Sequence, residues 1–258
     1  MIKWKLLIST IPFIIVVLLM RTILNDFLGF HGIIEFSEIV LVLTGGIFLV
    51  GFMLSGTLSD YKESEKFPGE IACIYETMEE SIHMNYKNSK IKKAKLIYLE
   101  LIFNSVTDLK KWLHKTITRD DFYRSLEELS GKIIDGEKDG LSPKEISKIL
   151  GDIHSLRRIV TRIDVISRTG FLMTGYALLE VLISSIVLIL LISIFKSEIA
   201  EKILIAFVTM IYIYMYKLIK DIDDPFEYSA NDQHGATEIP LFPIDEYIQR
   251  LKEKLQDK

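Results

Sequence analysis

Thr44, Phe48 and Phe52 stand four residues apart inside an uncharged run, so a helix carries them as one stripe. A threonine and two aromatic rings on one face of an apolar helix can form a narrow constriction that closes to ions by dewetting. The same stripe is also what two core-packed or lipid-facing phenylalanines look like. Gly45, Gly46, Gly51 and Gly56 fall largely on other faces, where small residues let helices approach closely. Glu180 is a second candidate, a carboxylate in an otherwise uncharged stretch. Acids at membrane depth are costly and by default functional. It could line a pathway, face water, or pair with Lys217 or Lys220. Asp221, Asp223, Asp224, Glu227 and Asp232 form an acidic cluster whose oxygens could hold calcium. Their spacing is not that of an EF-hand loop, and acids after a basic helix end are also simply solvated or paired.

Enzyme chemistry has no comparable signal, and no catalytic activity is expected. His31, His83, His114, His154 and His234 are scattered without a ligand-spaced partner, and no serine elbow or glycine-rich phosphate loop is present. Cys73, as the single cysteine, excludes an internal disulfide framework and a cysteine-based zinc site, and is expected to be a small packing residue. A net charge of −4 gives no reason to expect nucleic acid as a partner.

The elements that must position these residues follow from segregation of charge. The chain is 49% hydrophobic yet 26% charged, with a mean hydropathy of +0.28, so long apolar runs must alternate with strongly polar ones. Leu6 to Met20 is an uncharged run long enough, with its flanks, to anchor in a bilayer, and Pro12 should loosen it. Arg21 to Glu38 reads as a short interfacial cap, and Ile39 to Ser59 as a second span. Thr169 to Phe195 is a third span, Lys196 to Lys202 a tight polar turn, and Ile203 to Tyr216 a fourth span. Its tyrosines, Tyr212, Tyr214 and Tyr216, read as an interfacial aromatic belt. Between spans two and three, the block from Asp60 to Arg168 holds 20 of the 31 Lys and Arg residues, and its apolar residues recur at helical spacing. Ser142-Pro143-Lys144-Glu145 has the cap serine, first-turn proline and early acid of a helix start. The tail ends in an amphipathic helix from about Ile244.

The expected organisation is therefore spans one and two in residues 1–59, a cytoplasmic helical region in 60–168, spans three and four in 169–220, and a cytoplasmic tail in 221–258. The fold class is all-α, a multi-pass protein of the cell membrane. Basic residues near the span ends, including Lys62, Arg162, Arg168 and Lys217, fall on one side, which puts both termini in the cytoplasm.

Three pieces of sequence resemble the bestrophin and bestrophin-like membrane proteins. Phe48-Leu49-Val50-Gly51-Phe52, followed by Tyr61 and Glu63-Ser64-Glu65-Lys66, looks like that family's second helix and its direct exit from the bilayer. Pro143-Lys144, Ile149-Leu150, Ile153 and Leu156-Arg157-Arg158 look like the cytoplasmic helix before the third span. Asp224-Pro225-Phe226, Asn231-Asp232 and Ile239-Pro240-Leu241 resemble the tail. The resemblance implies a homopentamer with one axial pore, a neck at Thr44, Phe48 and Phe52, and a cytoplasmic aperture at Lys144. Thr44 stands where the family usually has an aliphatic residue, and Gly45-Gly46 where it has a proline. Ser167-Arg168-Thr169-Gly170 replaces a proline-rich start of the third span, and the acidic run of the animal calcium clasp is only partly present. If Lys144 lies at the aperture, a ring of ammonium groups favours anions such as chloride. The expected function is passive ion conduction with no obligatory cofactor, its partners being further copies of the chain, the bilayer and inorganic ions. The alternative is a membrane-anchored oligomeric scaffold or signalling protein that does not conduct.

Overall fold

Among the described residues, four helices are long and apolar enough to cross a membrane, which makes this a multi-pass membrane protein. The computed structural model describes residues 2–30, 32–86, 92–169, 173–228 and 237–256. His31, Gly170, Asn231, Asp232 and His234 lie outside them. The chain falls into two compact units: residues 1–61, 169–225 and 235–237 in the first, and 62–168, 226–234 and 238–258 in the second.

The first unit is built on α1 (Ile2–Thr22), α2 (Phe36–Ser64), α7 (Met173–Leu191) and α8 (Glu198–Asp223). Helix α1 continues through Pro12 and lies along α8. The expected polar turn at 196–202 is mostly helix. The hydroxyl of Ser197 accepts from the Ala200 amide at 3.2 Å, and Glu198 and Glu201 occupy the first turn, where the helix dipole favours acids. The 21–38 segment is more ordered than a cap. After one π-helical turn (Ile23–Phe27), β1 (Ile34–Glu35) pairs in parallel with β2 (Ser193–Ile194), and α2 begins at Phe36 rather than Ile39. Gly32 has φ +99°, and a Cβ there would stand 2.7 Å from the Ser193 carbonyl oxygen, so glycine is required. The core includes Leu43, Val50 and Met53 of α2, Leu179 and Ile186 of α7, and Ile205 and Tyr212 of α8.

The second unit contains α3 (Phe67–Tyr86), α4 (Lys92–Leu113), α5 (Arg119–Ile134), most of α6 (Pro143–Thr169) and α9 (Phe242–Gln256). Its core is the apolar stripe of each helix: Tyr75 and Met78, Ile102 and Val106, Phe122 and Leu126, Leu156 and Val160 are fully buried. Thr118 and Asp121 close a capping box at the start of α5. Helix α9 is tied down by Lys254 to Glu79 at 2.6 Å, by Lys110 to Asp245 at 2.6 Å, and by the Tyr247 hydroxyl donating to the Tyr75 carbonyl at 3.3 Å. Phe226 stacks on Phe67 with ring centroids 6.4 Å apart, and the Tyr228 hydroxyl donates to the Ile239 carbonyl, so the tail elements on either side of residues 229–236 both enter this unit.

Cys73 is not a packing residue. It lies on the exposed side of α3, about 200° around the helix from the buried Ile71 and Tyr75.

Truncating Leu126, which is fully buried, to alanine should cost about 2–5 kcal/mol in denaturant unfolding of the detergent-solubilised protein. Ile134→Ala, at an exposed position eight residues along the same helix, should stay within about 0.5 kcal/mol of the parent.

Candidate functional site

The orientation of α2 is set by one close approach. The buried hydroxyl of Tyr212 on α8 donates to the Leu43 carbonyl at 2.6 Å. A Cβ at Gly46 would come within 2.5 Å of that hydroxyl and 2.9 Å of the Ile186 side chain, so only glycine allows this spacing. The packed face of α2 is Ile39, Leu43, Gly46, Val50, Met53 and Thr57. Phe48 and Phe52 lie about 200° from Gly46 and Val50 respectively and are 76% and 72% exposed. Thr44 is exposed beside them and returns its hydroxyl to the Val40 carbonyl at 2.9 Å, so its polar atom is partly satisfied within the helix. The structure therefore brings Thr44, Phe48 and Phe52 together on the broad surface of α2 that its own chain leaves uncovered, which also takes in Val40, Val42 and Ile47. Leu41 extends that face at one end, and Ser55 and Ser59 at the other. The serines escaped the sequence reading, although continuing the same three- and four-residue steps reaches them.

Tyr212 is thus not part of an aromatic belt but a helix-packing residue. Tyr216 has a specific partner as well: its hydroxyl donates to Glu180 Oε1 at 2.8 Å. Glu180 does not pair with Lys217. The Lys217 ammonium donates to the Ser9 carbonyl at 2.5 Å and the Ser9 hydroxyl at 2.9 Å, and sits 4.7 Å from the Phe13 ring centroid on α1. Glu180 itself is exposed on α7.

Lys144 belongs to the second unit and is exposed in the first turn of α6. The helix start holds it firmly. The Ser142 hydroxyl accepts from the Glu145 amide at 3.3 Å, while Asn85 on α3 accepts from the Ser142 amide at 3.1 Å and donates to the Gly140 carbonyl at 2.8 Å. The preceding 3-10 turn (Asp135–Asp139) ends in Gly140 at φ +91°. Asp139 anchors it, receiving Lys132 Nζ at 2.5 Å and the Tyr98 hydroxyl at 2.9 Å, and its backbone carbonyl accepts from Tyr86 at 2.9 Å. The bonds from Lys132 and then Tyr98 hold the Asp139 carboxyl below the usual carboxylate range. Burial, and then the Asp139 carboxylate, push the Tyr98 phenol up. An ammonium at a helix N-terminus places two positive ends together, which is an arrangement that favours anions nearby.

Among the described residues, the acids of the cluster have separate partners. Thr237 donates to both the Asp221 carbonyl, at 2.7 Å, and its carboxylate, at 2.8 Å, and the Tyr176 hydroxyl donates to Asp223 at 2.8 Å. Asp224 caps the end of α8, and Glu227 is exposed. Among the described residues no three His, Cys, Asp or Glu side chains are grouped to hold a metal ion.

One polar cluster was invisible in the sequence. Arg21 is 4% exposed and its guanidinium meets Glu201 at 2.5 Å, the Leu191 carbonyl at 2.5 Å and the Ser193 carbonyl at 2.8 Å, with Phe195 5.8 Å away. Its partners are about 170 to 180 residues along the chain, beyond any local spacing rule. A buried charge so fully satisfied clips the end of α1 to the α7–α8 connection.

Two measurements follow from this geometry. Gly46→Ala should destabilise the detergent-solubilised protein by about 1–3 kcal/mol in thermal unfolding, whereas Gly45→Ala, with open space around its Cβ, should be neutral or stabilising. Asp139→Asn should lower Tm at pH 7. Because the folded carboxyl is depressed below its ordinary value of about 3.9, that gap should persist above pH ~5 and close as the pH falls through the folded value.

No protein-family model matches the sequence, and no curated protein matches it. Solved structures do match. A leucine-to-threonine variant of a bacterial bestrophin homolog from Klebsiella pneumoniae superposes with a TM-score of 0.76 at 15% identity, covering 97% of this chain and all of that one. A tryptophan-to-alanine variant of the same homolog gives 0.76 over 98% and 99% of the two chains, and its zinc-phased crystal structure 0.70 over 98% and 96% at 14% identity. Across nearly its whole length the chain has the fold of these bacterial bestrophin homologs.

Proposed function

We propose that the protein is a bestrophin-like ion channel in which five copies surround a single pore. The observation that carries this reading is the uncovered face of α2. Its Thr44, Phe48 and Phe52 point away from the chain's own core while the opposite face is locked against Tyr212. A ring of such faces makes an apolar neck that opens and closes by wetting. Lys144 contributes one ammonium per copy to a second constriction and tilts selectivity toward anions, chloride being the natural candidate. Glu180, an exposed carboxylate on a spanning helix, lies along the water-filled pathway or at its side. Both termini and the charged helical unit lie in the cytoplasm, in keeping with the basic residues at the span ends. Conduction is passive, with no catalytic step. Support comes from the shared fold, from the three sequence elements in matching order and from the geometry of α2.

Purified protein in planar bilayers should show single-channel currents, and Phe48→Ala or Phe52→Ala should raise open probability or conductance by widening and wetting the neck. In asymmetric chloride, Lys144→Glu should move the reversal potential away from the chloride value. An unchanged potential removes Lys144 from the pathway. A monomeric or dimeric mass in detergent, with silence in the parent and both phenylalanine variants, would favour the non-conducting scaffold instead.

A further inference from the structure

A crevice of about 410 Å³ opens in the first unit where β1 and β2 meet the starts of α2 and α8. Its walls are Phe36, Phe195, Ile194 and Leu204, and Glu35 and Lys196 stand at it as its charged groups. We propose that it binds one membrane phospholipid with an ammonium-bearing headgroup, of the ethanolamine type: phosphate on Lys196, ammonium on Glu35, and one acyl chain between the rings and Leu204. The proposal is independent of whether the protein conducts.

Three features point to a lipid rather than to a water-soluble ligand. The polarity is graded in the direction a lipid requires. Glu35 and Lys196 flank the first residues of two spanning helices, hence the bilayer surface, whereas Leu204 lies six residues into α8, roughly 9 Å deeper. The volume suits part of a lipid, within the ~300–1,000 Å³ of small-molecule sites. The site is also preformed. Glu35 sits on β1, paired in register with Ile194 of β2, and Lys196 follows two residues later. Phe36 and Phe195 hold each other with ring centroids 5.2 Å apart, and the guanidinium of the buried Arg21 stands over the Phe195 ring at 5.8 Å. Opposite charges beside apolar walls, with Ser37 donating to Glu35 at 3.2 Å, match a zwitterionic headgroup above a chain. An acidic lipid such as phosphatidylglycerol would satisfy Lys196 but face Glu35 as a like charge.

The test uses full-length protein delipidated in detergent, with native mass spectrometry counting bound lipid and thermal shift reporting affinity. Dioleoyl phosphatidylethanolamine should bind at one per chain, and dioleoyl phosphatidylglycerol about tenfold more weakly. Glu35→Gln should erase that preference, Lys196→Ala should weaken both lipids by about tenfold, and Leu204→Trp, which fills the slot and keeps both charges, should abolish binding. The two charge variants are at exposed positions, so they remain informative if the tryptophan variant misfolds. Equal binding of both lipids by the parent and all three variants overturns the proposal. So does phosphoethanolamine alone competing as well as the intact lipid, which would assign a soluble ligand. A change of oligomeric mass in Leu204→Trp with lipid binding intact assigns the crevice to a second copy of the chain and overturns it as well.

Discussion

The hydroxyl of Tyr212 reaches the backbone of α2 at Leu43 because Gly46 has no side chain, and the arrangement of the first unit depends on that approach. In a bilayer the apolar effect does little to choose which face of an apolar helix turns inward, since lipid tails are as apolar as leucine. Close packing and a buried hydrogen bond must make the choice. Here they fix the rotation of α2 about its own axis. With Gly46 turned to α7 and α8, Phe48 and Phe52 have nowhere to go but outward. Two large rings left uncovered are unremarkable against lipid. Flanked along one face by Thr44, Ser55 and Ser59, they are better suited to a surface that meets water for part of its length, as a pore neck would.

The second unit ties down the start of α6 through hydrogen bonds from neighbouring elements. Lys144 is two residues past a cap serine whose amide and preceding glycine are both gripped by Asn85, and the turn before that is pinned by Asp139. A flexible lysine stem costs entropy to localise, but its backbone origin here is tied by the hydrogen bonds of Ser142 and Asn85. A ring of such origins would set the radius of a constriction while the ammonium groups set its charge. Arg21 does the comparable work at one end of the first unit, where a single guanidinium donates to two backbone carbonyls and to the Glu201 carboxylate, which Asn25 also reaches at 2.9 Å.

Much of this was legible in the sequence, because long apolar runs and helical stripes are local signals. The four spans, the stripe of Thr44, Phe48 and Phe52, the cap at Ser142 and the terminal helix are all read from residues within one continuous stretch of chain. What escaped depends on partners far apart. Arg21 reads as a loop charge until Glu201 and the carbonyls at 191 and 193 surround it, and Tyr212 as an interfacial tyrosine until it is placed against Leu43. Glu180 finds Tyr216 rather than the nearby lysine, because Lys217, the next residue, points to the opposite helix, α1. Cys73 was misjudged for a simpler reason: composition cannot say on which side of α3 a lone cysteine falls. The start of α5 was missed although its signal is local, since Thr118 and Asp121 have capping-box spacing.

The central claim is that the uncovered face of α2 meets water inside an assembly of copies rather than lipid around it. It is tested most directly by thiol accessibility. Cys73 is the chain's single cysteine, so Cys73→Ser gives a clean background. In that background, Phe48→Cys and Phe52→Cys should react with a membrane-impermeant, charged thiol reagent and lose current as they do, while Leu19→Cys, exposed on α1, should stay unmodified. Full protection of both α2 positions, with Leu19→Cys behaving identically, would place that face against lipid and contradict the claim.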